Sequence, residues 1–210
     1  GLATPATGII APGLIGHRKA ADIPLAGDPA LARELLAEAG VELPLKLTLA
    51  MKSDALSLTA GQVVQWSLAK IGVEIELQPQ DNATLLTLGN ESAGERWRDV
   101  QLHMQSFFML GDPYYATCWF VSEQVGIWNW ERFSNAEFDR LHLQAMASFD
   151  TAERDRIYQH MQHLMEASGC YRFLAHDVES VLTRNRIQPS FRADGYPMYR
   201  SFGLSGSDAA

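Results

Sequence analysis

His160 and His163 come nearest, by type and spacing, to a catalytic or metal-binding device in this chain. At i and i+3 on a helix they share one side, and imidazole suits zinc, nickel or copper. No Cys or acidic residue completes an obvious motif beside them, and they flank the stripe of Ile157, Met161 and Leu164, where boundary histidines of a packed helix fall. The alternative that this pair keeps open is a small α/β metal-binding protein or hydrolase. His142 and His176 read as surface or boundary residues, and His17 lies in an irregular leader. Nucleophilic and phosphate chemistry lack their usual devices: there is no Gly-x-Ser-x-Gly elbow, no Gly-x-x-x-x-Gly-Lys-Ser/Thr loop and no Gly-x-Gly-x-x-Gly fingerprint. No cofactor is implied. Cys118 and Cys170 are too few for a disulfide framework and too far apart for a Cys-x-x-Cys site, so pairing and two free thiols both stay open.

The richer signal is non-catalytic. Residues 105–115 run Gln-Ser-Phe-Phe-Met-Leu-Gly-Asp-Pro-Tyr-Tyr, and Trp119, Phe120, Trp128 and Trp130 follow. So many rings in a weakly periodic stretch are hard to bury in one small core. Aromatic walls suit apolar, sugar-like or cationic ligands. Two readings remain: the rings line a ligand, or they cover a sheet edge and face another domain.

The surrounding elements must position that stretch. Residues 1–27 are rich in Gly, Pro and Ala and read as an extended, turn-rich leader. Asp28-Pro29 supplies an N-cap with Pro at the first helical position; Leu31, Leu35 and Ala39 make an apolar stripe, and Gly40 stands at the C-cap. Leu45, Leu47 and Leu49 alternate with polar or small residues as a strand; Val64, Leu68 and Ile71 follow at helical spacing; Val73, Ile75 and Leu77 form a second strand expected to stop at Pro79. Strand, helix, strand implies parallel neighbours and an α/β sheet with at least one covered face. Residues 81–98 predict a helix weakened by Gly89 and Gly94, and residues 100–104 a third strand. A Ser134–Glu137 capping box opens a helix with Phe138, Leu141 and Ala145 inward. Asp150 and Glu153 open the next, with a mixed-charge first turn through Arg154, Asp155 and Arg156. Short β-type runs are expected at 171–175 and 178–183, around His176-Asp177, before a frayed end.

A length of 210 residues and 47% hydrophobic content allow one buried domain with appendages. A net charge of -8 without clustered Lys/Arg argues against nucleic acid or anionic lipid as a partner. The longest apolar runs are far short of a membrane span, and no basic, apolar leader opens the chain.

Four motifs in order resemble the extracellular solute-binding proteins of family 5. Asp28 to Gly40 resembles the family's Asp-initiated helix ending Leu-Leu-x-Glu-Ala-Gly, and Leu68 to Ile75 its Leu-Lys-x-Ile-Gly-Val-x-Val. Phe133 to Leu141 is similar to Tyr-Ser-Asn-Pro-Glu-Phe-Asp-x-Leu, and Asp150, Arg154 and Tyr158 to Asp-x-x-x-Arg-x-x-x-Tyr. The resemblance implies an α/β fold with a mixed sheet and flanking helices, the C-terminal lobe of a bilobed type II periplasmic-binding-protein fold. Residues 1–183 would form part of that lobe, and 184–210 a return segment and tail. It implies a piece of a longer receptor whose first lobe and export signal lie outside this sequence. Such receptors bind a peptide or small solute, dock on an ABC permease, and work in the periplasm or, in Gram-positive-type hosts, membrane-associated outside the cell. Ser106, Phe107, Phe108, Met109, Asp112, Tyr114 and Trp128 are the ligand-binding residues this resemblance suggests. One position departs from the pattern. Where peptide-binding members carry an Asp for the ligand's α-ammonium, four residues before the Pro, this chain has Met109, with Ser106 where a Trp often stands. A thioether cannot pair a buried cation. Either the solute is not a free-amine peptide, or its amine is held elsewhere, with Asp112 the nearest carboxylate in sequence.

Overall fold

A computed structural model describes residues 3–107, 109–178, 180–192 and 195–204. In chain order the elements are β1 (Ala3–Pro5), α1 (Pro29–Glu38), β2 (Leu45–Lys52), α2 (Ala55–Ala69), β3 (Val73–Gln80), α3 (Asn82–Leu86), β4 (Leu102–His103), α4 (Tyr114–Thr117), α5 (Ala136–Ala147), α6 (Thr151–Ala167), β5 (Ala175–Asp177), β6 (Ile187–Gln188) and β7 (Gly203–Leu204). They form two compact units, each assembled from separate stretches of chain: residues 1–22, 108–119 and 135–210 in the first, and 23–107 and 120–134 in the second.

The second unit is built on a parallel sheet of order β3-β2-β4, with Leu45 opposite Val73 and Leu49 opposite Leu102. Alternation along β2 and β3 sends Leu49, Met51, Val73 and Ile75 to one face, where Leu36 of α1 and Leu58, Val64 and Leu68 of α2 cover them. Ala50 points the other way, onto Leu85 and Leu88. The crossover through α2 is therefore the one that the hydrophobic spacing predicts. Three details differ from expectation. Asp28 caps α1 through hydrogen bonds from the Ala30 and Leu31 amides, and Gly40 follows at φ 67°, yet Leu31 and Leu35 are 49% and 54% exposed. Periodicity locates a stripe but not what covers it; Leu36, one residue on, meets the sheet. β3 continues through Pro79 to Gln80, because an edge strand tolerates a residue without an N–H. The helix expected over 81–98 forms only as α3 and then breaks into short turns on either side of Gly94, Glu91–Ala93 and Arg96–Asp99.

The first unit packs α5 on α6, with Phe138, Leu141 and Ala145 buried against a helix that buries Ile157, Tyr158, Met161 and Met165. The cap of α5 is Asn135, whose Oδ1 accepts from the Glu137 and Phe138 amides; Ser134 bonds Ser122 instead of forming the expected capping box. The strand after α6 is β5, over the His176-Asp177 that was expected to separate two strands, and it pairs antiparallel with β1.

The leader is thus part of the fold. Gln162 accepts from the Ile10 amide and donates to the Gly16 carbonyl, and Asp155 accepts from the Gly16 amide. Arg18, 3% exposed, pairs with Glu166 at 2.5 Å and with Asp22 at 3.0 Å. Gln162 and Glu166 of α6 are buried because an irregular backbone laid against a helix needs polar side chains to satisfy its N–H and C=O groups.

Candidate functional site

In the second unit the chain leaves β4 at the carboxyl end of the parallel sheet, the end where open α/β sheets take ligands. Ser106 is exposed there, and Phe107 is half-buried with its ring edge-on to buried Phe120 at 5.1 Å. The loop 120–134 is organised by Asn129, which is fully buried. Its Nδ2 donates to the carbonyls of Phe120, Val121 and Phe133, and its Oδ1 accepts from the Phe133 amide. This hub holds Trp128 40% exposed and lays Trp130 against Gly89, where an added Cβ would sit 1.9 Å from the indole. Trp130 meets His103 edge-on at 5.3 Å, and His103 Nε2 lies 3.1 Å from Glu131 Oε1. Both side chains are largely buried, at 16% and 12% exposure. A shallow hollow of about 290 Å³ in the same unit is lined by Glu91, Trp97, Arg98 and Arg132, and contains none of the residues predicted from sequence.

In the first unit Met109 is half-buried and carries no charge, as its type dictates. Asp112 is occupied: both carboxylate oxygens lie 2.9 Å from Arg154 Nη2, and Oδ1 accepts from the Tyr114 amide. The same Arg154 donates through Nε to the Ala145 carbonyl. Asp112 therefore ties the Asp-Pro turn to α6, which assigns a structural task to a residue expected at the ligand. Tyr114 stacks on His142 at 5.2 Å, and His142 Nδ1 bonds Thr117 Oγ1 at 3.0 Å. His142 was expected at the boundary and is buried; that burial holds its pKa below the usual histidine value, with Asp139 opposing. Phe108 lies outside the described residues.

His160 and His163 do not act together. His160 Nε2 bonds Glu137 at 3.0 Å, whereas His163 Nδ1 bonds Asp22 at 2.6 Å beside Arg18. Among the described residues no three His, Cys, Asp or Glu side chains are grouped to hold a metal ion. Cys118 is half-buried and Cys170 exposed, and both are free thiols. Sequence reading missed His103, Glu131 and Asn129. The first sits at a polar position of an alternating strand, and the other two in an aromatic loop; only the fold makes them neighbours.

An open α/β sheet flanked by helices, with aromatic and half-buried polar groups at its carboxyl end, is a fold that takes ligands at that end. The profile of the bacterial extracellular solute-binding proteins, family 5 (Middle), matches residues 1–126, and the chain belongs to that family. The glutathione-binding protein GsiB of Shigella flexneri serotype 5b (strain 8401) is 28% identical over 184 residues, covering 79% of this chain and 33% of the relative. Among solved structures, clavulanic acid biosynthesis oligopeptide binding protein 2 superposes with a TM-score of 0.84 at 20% identity, over 97% of this chain and 39% of that one. The periplasmic binding protein DppA from Helicobacter pylori, in complex with the peptide STSA, gives 0.72 at 20% identity, over 97% and 39%. The chain spans about a third of the length of the curated relatives it matches. These relatives are binding proteins by name, and the fold is that of the periplasmic binding proteins of family 5.

Proposed function

We propose that this chain is part of the solute-binding component of an ABC importer, and that it contributes one wall of the solute cleft without catalysing a reaction. The family match over residues 1–126 carries this reading. The names of the relatives, a glutathione-binding protein and a receptor in complex with a peptide, support a solute of peptide class or a related small molecule. Residue by residue, the solute contacts we propose are Ser106, Phe107, Met109, Tyr114 and Trp128, with Phe108 kept by its place in the sequence. Asp112 is proposed as the residue that sets its turn, since Arg154 already holds its carboxylate. The partners in this reading are a further lobe of the same receptor and an ABC permease. The site of action is the periplasm or, in Gram-positive-type hosts, the outer surface of the membrane.

The test is native mass spectrometry of the full-length gene product purified without refolding. A carried molecule of peptide mass is the expected result. No carried molecule, together with no thermal stabilisation by a panel of di- and tripeptides, glutathione and small non-peptide solutes, would overturn the reading.

A further inference from the structure

Helix α2 is apolar on two sides, and the sheet takes only one of them. Leu58, Val64 and Leu68 turn inward, and Gly61 is buried where an added Cβ would lie 2.4 Å from the Met51 sulfur. The outer side carries Leu56, Thr59, Val63, Trp66 and Lys70, all exposed, at alternating steps of three and four residues. That spacing is the seam along which one helix packs on another. Leu56, Val63 and Trp66 leave 71%, 58% and 66% of their surface uncovered. Three side chains of this size present roughly 400 Å² of apolar surface, about half of the ~800 Å² that each partner of a stable pair contributes. Lys70 Nζ lies 3.3 Å from the centre of the Trp66 ring, which sets the indole in place without covering it. A ring held in this way is a preorganised anchor.

Charge says what fits this face. Among the described helices of eight residues or more, α2 is the one without a charged side chain. A chain of net charge -8 repels its own copies over most of its surface, and this face is spared. Charges stand only at its two ends: Asp54 at the N-cap, held by the amide and hydroxyl of Ser57, and Lys70 at the C-cap. Two copies of α2 laid antiparallel about a two-fold axis beside Val63 set Asp54 opposite the partner's Lys70 at both ends and oppose the two helix dipoles. Trp66 then lies along the partner's Thr59. A lipid surface is a poorer match, since Lys70 is the single basic residue of the stripe and lipid-binding helices carry many.

We propose that the outer face of α2 is the interface for a second copy of this chain, a two-fold antiparallel seam of Leu56, Val63 and Trp66 closed at each end by Asp54 and the partner's Lys70. The proposal stands apart from the solute reading and does not depend on it.

The test is sedimentation of the full-length gene product from about 1 to 100 µM, where the mass should rise toward twice that of one chain. Trp66→Glu and Val63→Glu should each weaken association at least about tenfold, with unchanged circular dichroism because both side chains are exposed. Lys70→Glu sets like charges together at both ends and should weaken the pair about threefold to tenfold. Adding Asp54→Asn, which keeps the helix cap, should restore most of that loss, a rescue that only the antiparallel register produces. A mass of one chain at the highest concentration, a doubled mass that survives both glutamate variants, or no rescue by Asp54→Asn would overturn the proposal. So would a single-chain mass together with flotation on phosphatidylcholine vesicles that Trp66→Glu abolishes, which would give the face to a lipid surface.

Discussion

Removing the guanidinium of Arg18 should unpin the leader from α6. Arg18 donates from Nη2 to Glu166, from Nη1 to Asp22 and from Nε to the Thr7 carbonyl, with side chains of Arg18 and Glu166 only 3% and 1% exposed. In Arg18→Met the Glu166 carboxylate keeps the Asp22 amide at 3.0 Å and Arg172 at 3.4 Å, but loses its buried counter-ion. Breaking a buried pair on one side costs about 3–5 kcal/mol. The contacts left on Glu166 place this case at the lower end, about 3 kcal/mol. The double variant Arg18→Met/Glu166→Leu removes the stranded charge as well, and should return to within about 1 kcal/mol of wild type, a coupling of roughly 2 kcal/mol or more between the two sites. Urea unfolding, read by hydrogen exchange in peptides from Thr151–Ala167, measures both quantities on the unit concerned. Because the pair is buried, 0.5 M salt (an ionic strength of about 0.5 M) should leave the difference nearly intact. A loss below about 1 kcal/mol in the single variant, or strict additivity in the double, would refute the reasoning.

Asn129→Ala strands the carbonyls and amide that Asn129 now satisfies. It should cost about 2–4 kcal/mol and raise hydrogen exchange selectively across 120–134; an effect spread evenly over the chain would argue against a hub. Burial lowers the His142 pKa, so below the unfolded value of about 6.5 the unfolded chain binds the proton more readily than the folded one. Stability should therefore fall as pH drops from 7 to 5 (about two units), and His142→Gln should flatten that slope in pH-dependent urea titrations. Iodoacetamide at about pH 8 should label exposed Cys170 at least about tenfold faster than Cys118, whose thiol pKa burial raises; equal rates by peptide mass mapping would contradict the placement.

Much of the fold was legible because its causes are local. Asp28 and Asp150 cap the helices they precede, and Leu45 to Leu49 and Val73 to Leu77 alternate into adjacent parallel strands through a helix whose Val64 and Leu68 face the sheet. The errors were equally local in kind. Ser134 and Asn135 are both competent caps, and only the backbone chose Asn135. Leu31 and Leu35 form a proper stripe that no element covers among the described residues, and β4 is shorter than its alternation promised.

The sequence by itself determined the class of protein, since residue order dictates periodicity, caps and the motifs of family 5, all of which act over a few positions. It also determined that Met109 cannot hold an ammonium, because that depends on side-chain chemistry alone. Tertiary structure decided what depends on distant neighbours. Arg154 claims Asp112 from 42 residues away, Asn129 gathers the aromatic loop, and Glu131 meets His103 across 28 positions of chain. No spacing rule encodes such meetings. They arise when the chain folds back and buried polar groups take whichever partners the packing brings within hydrogen-bond reach.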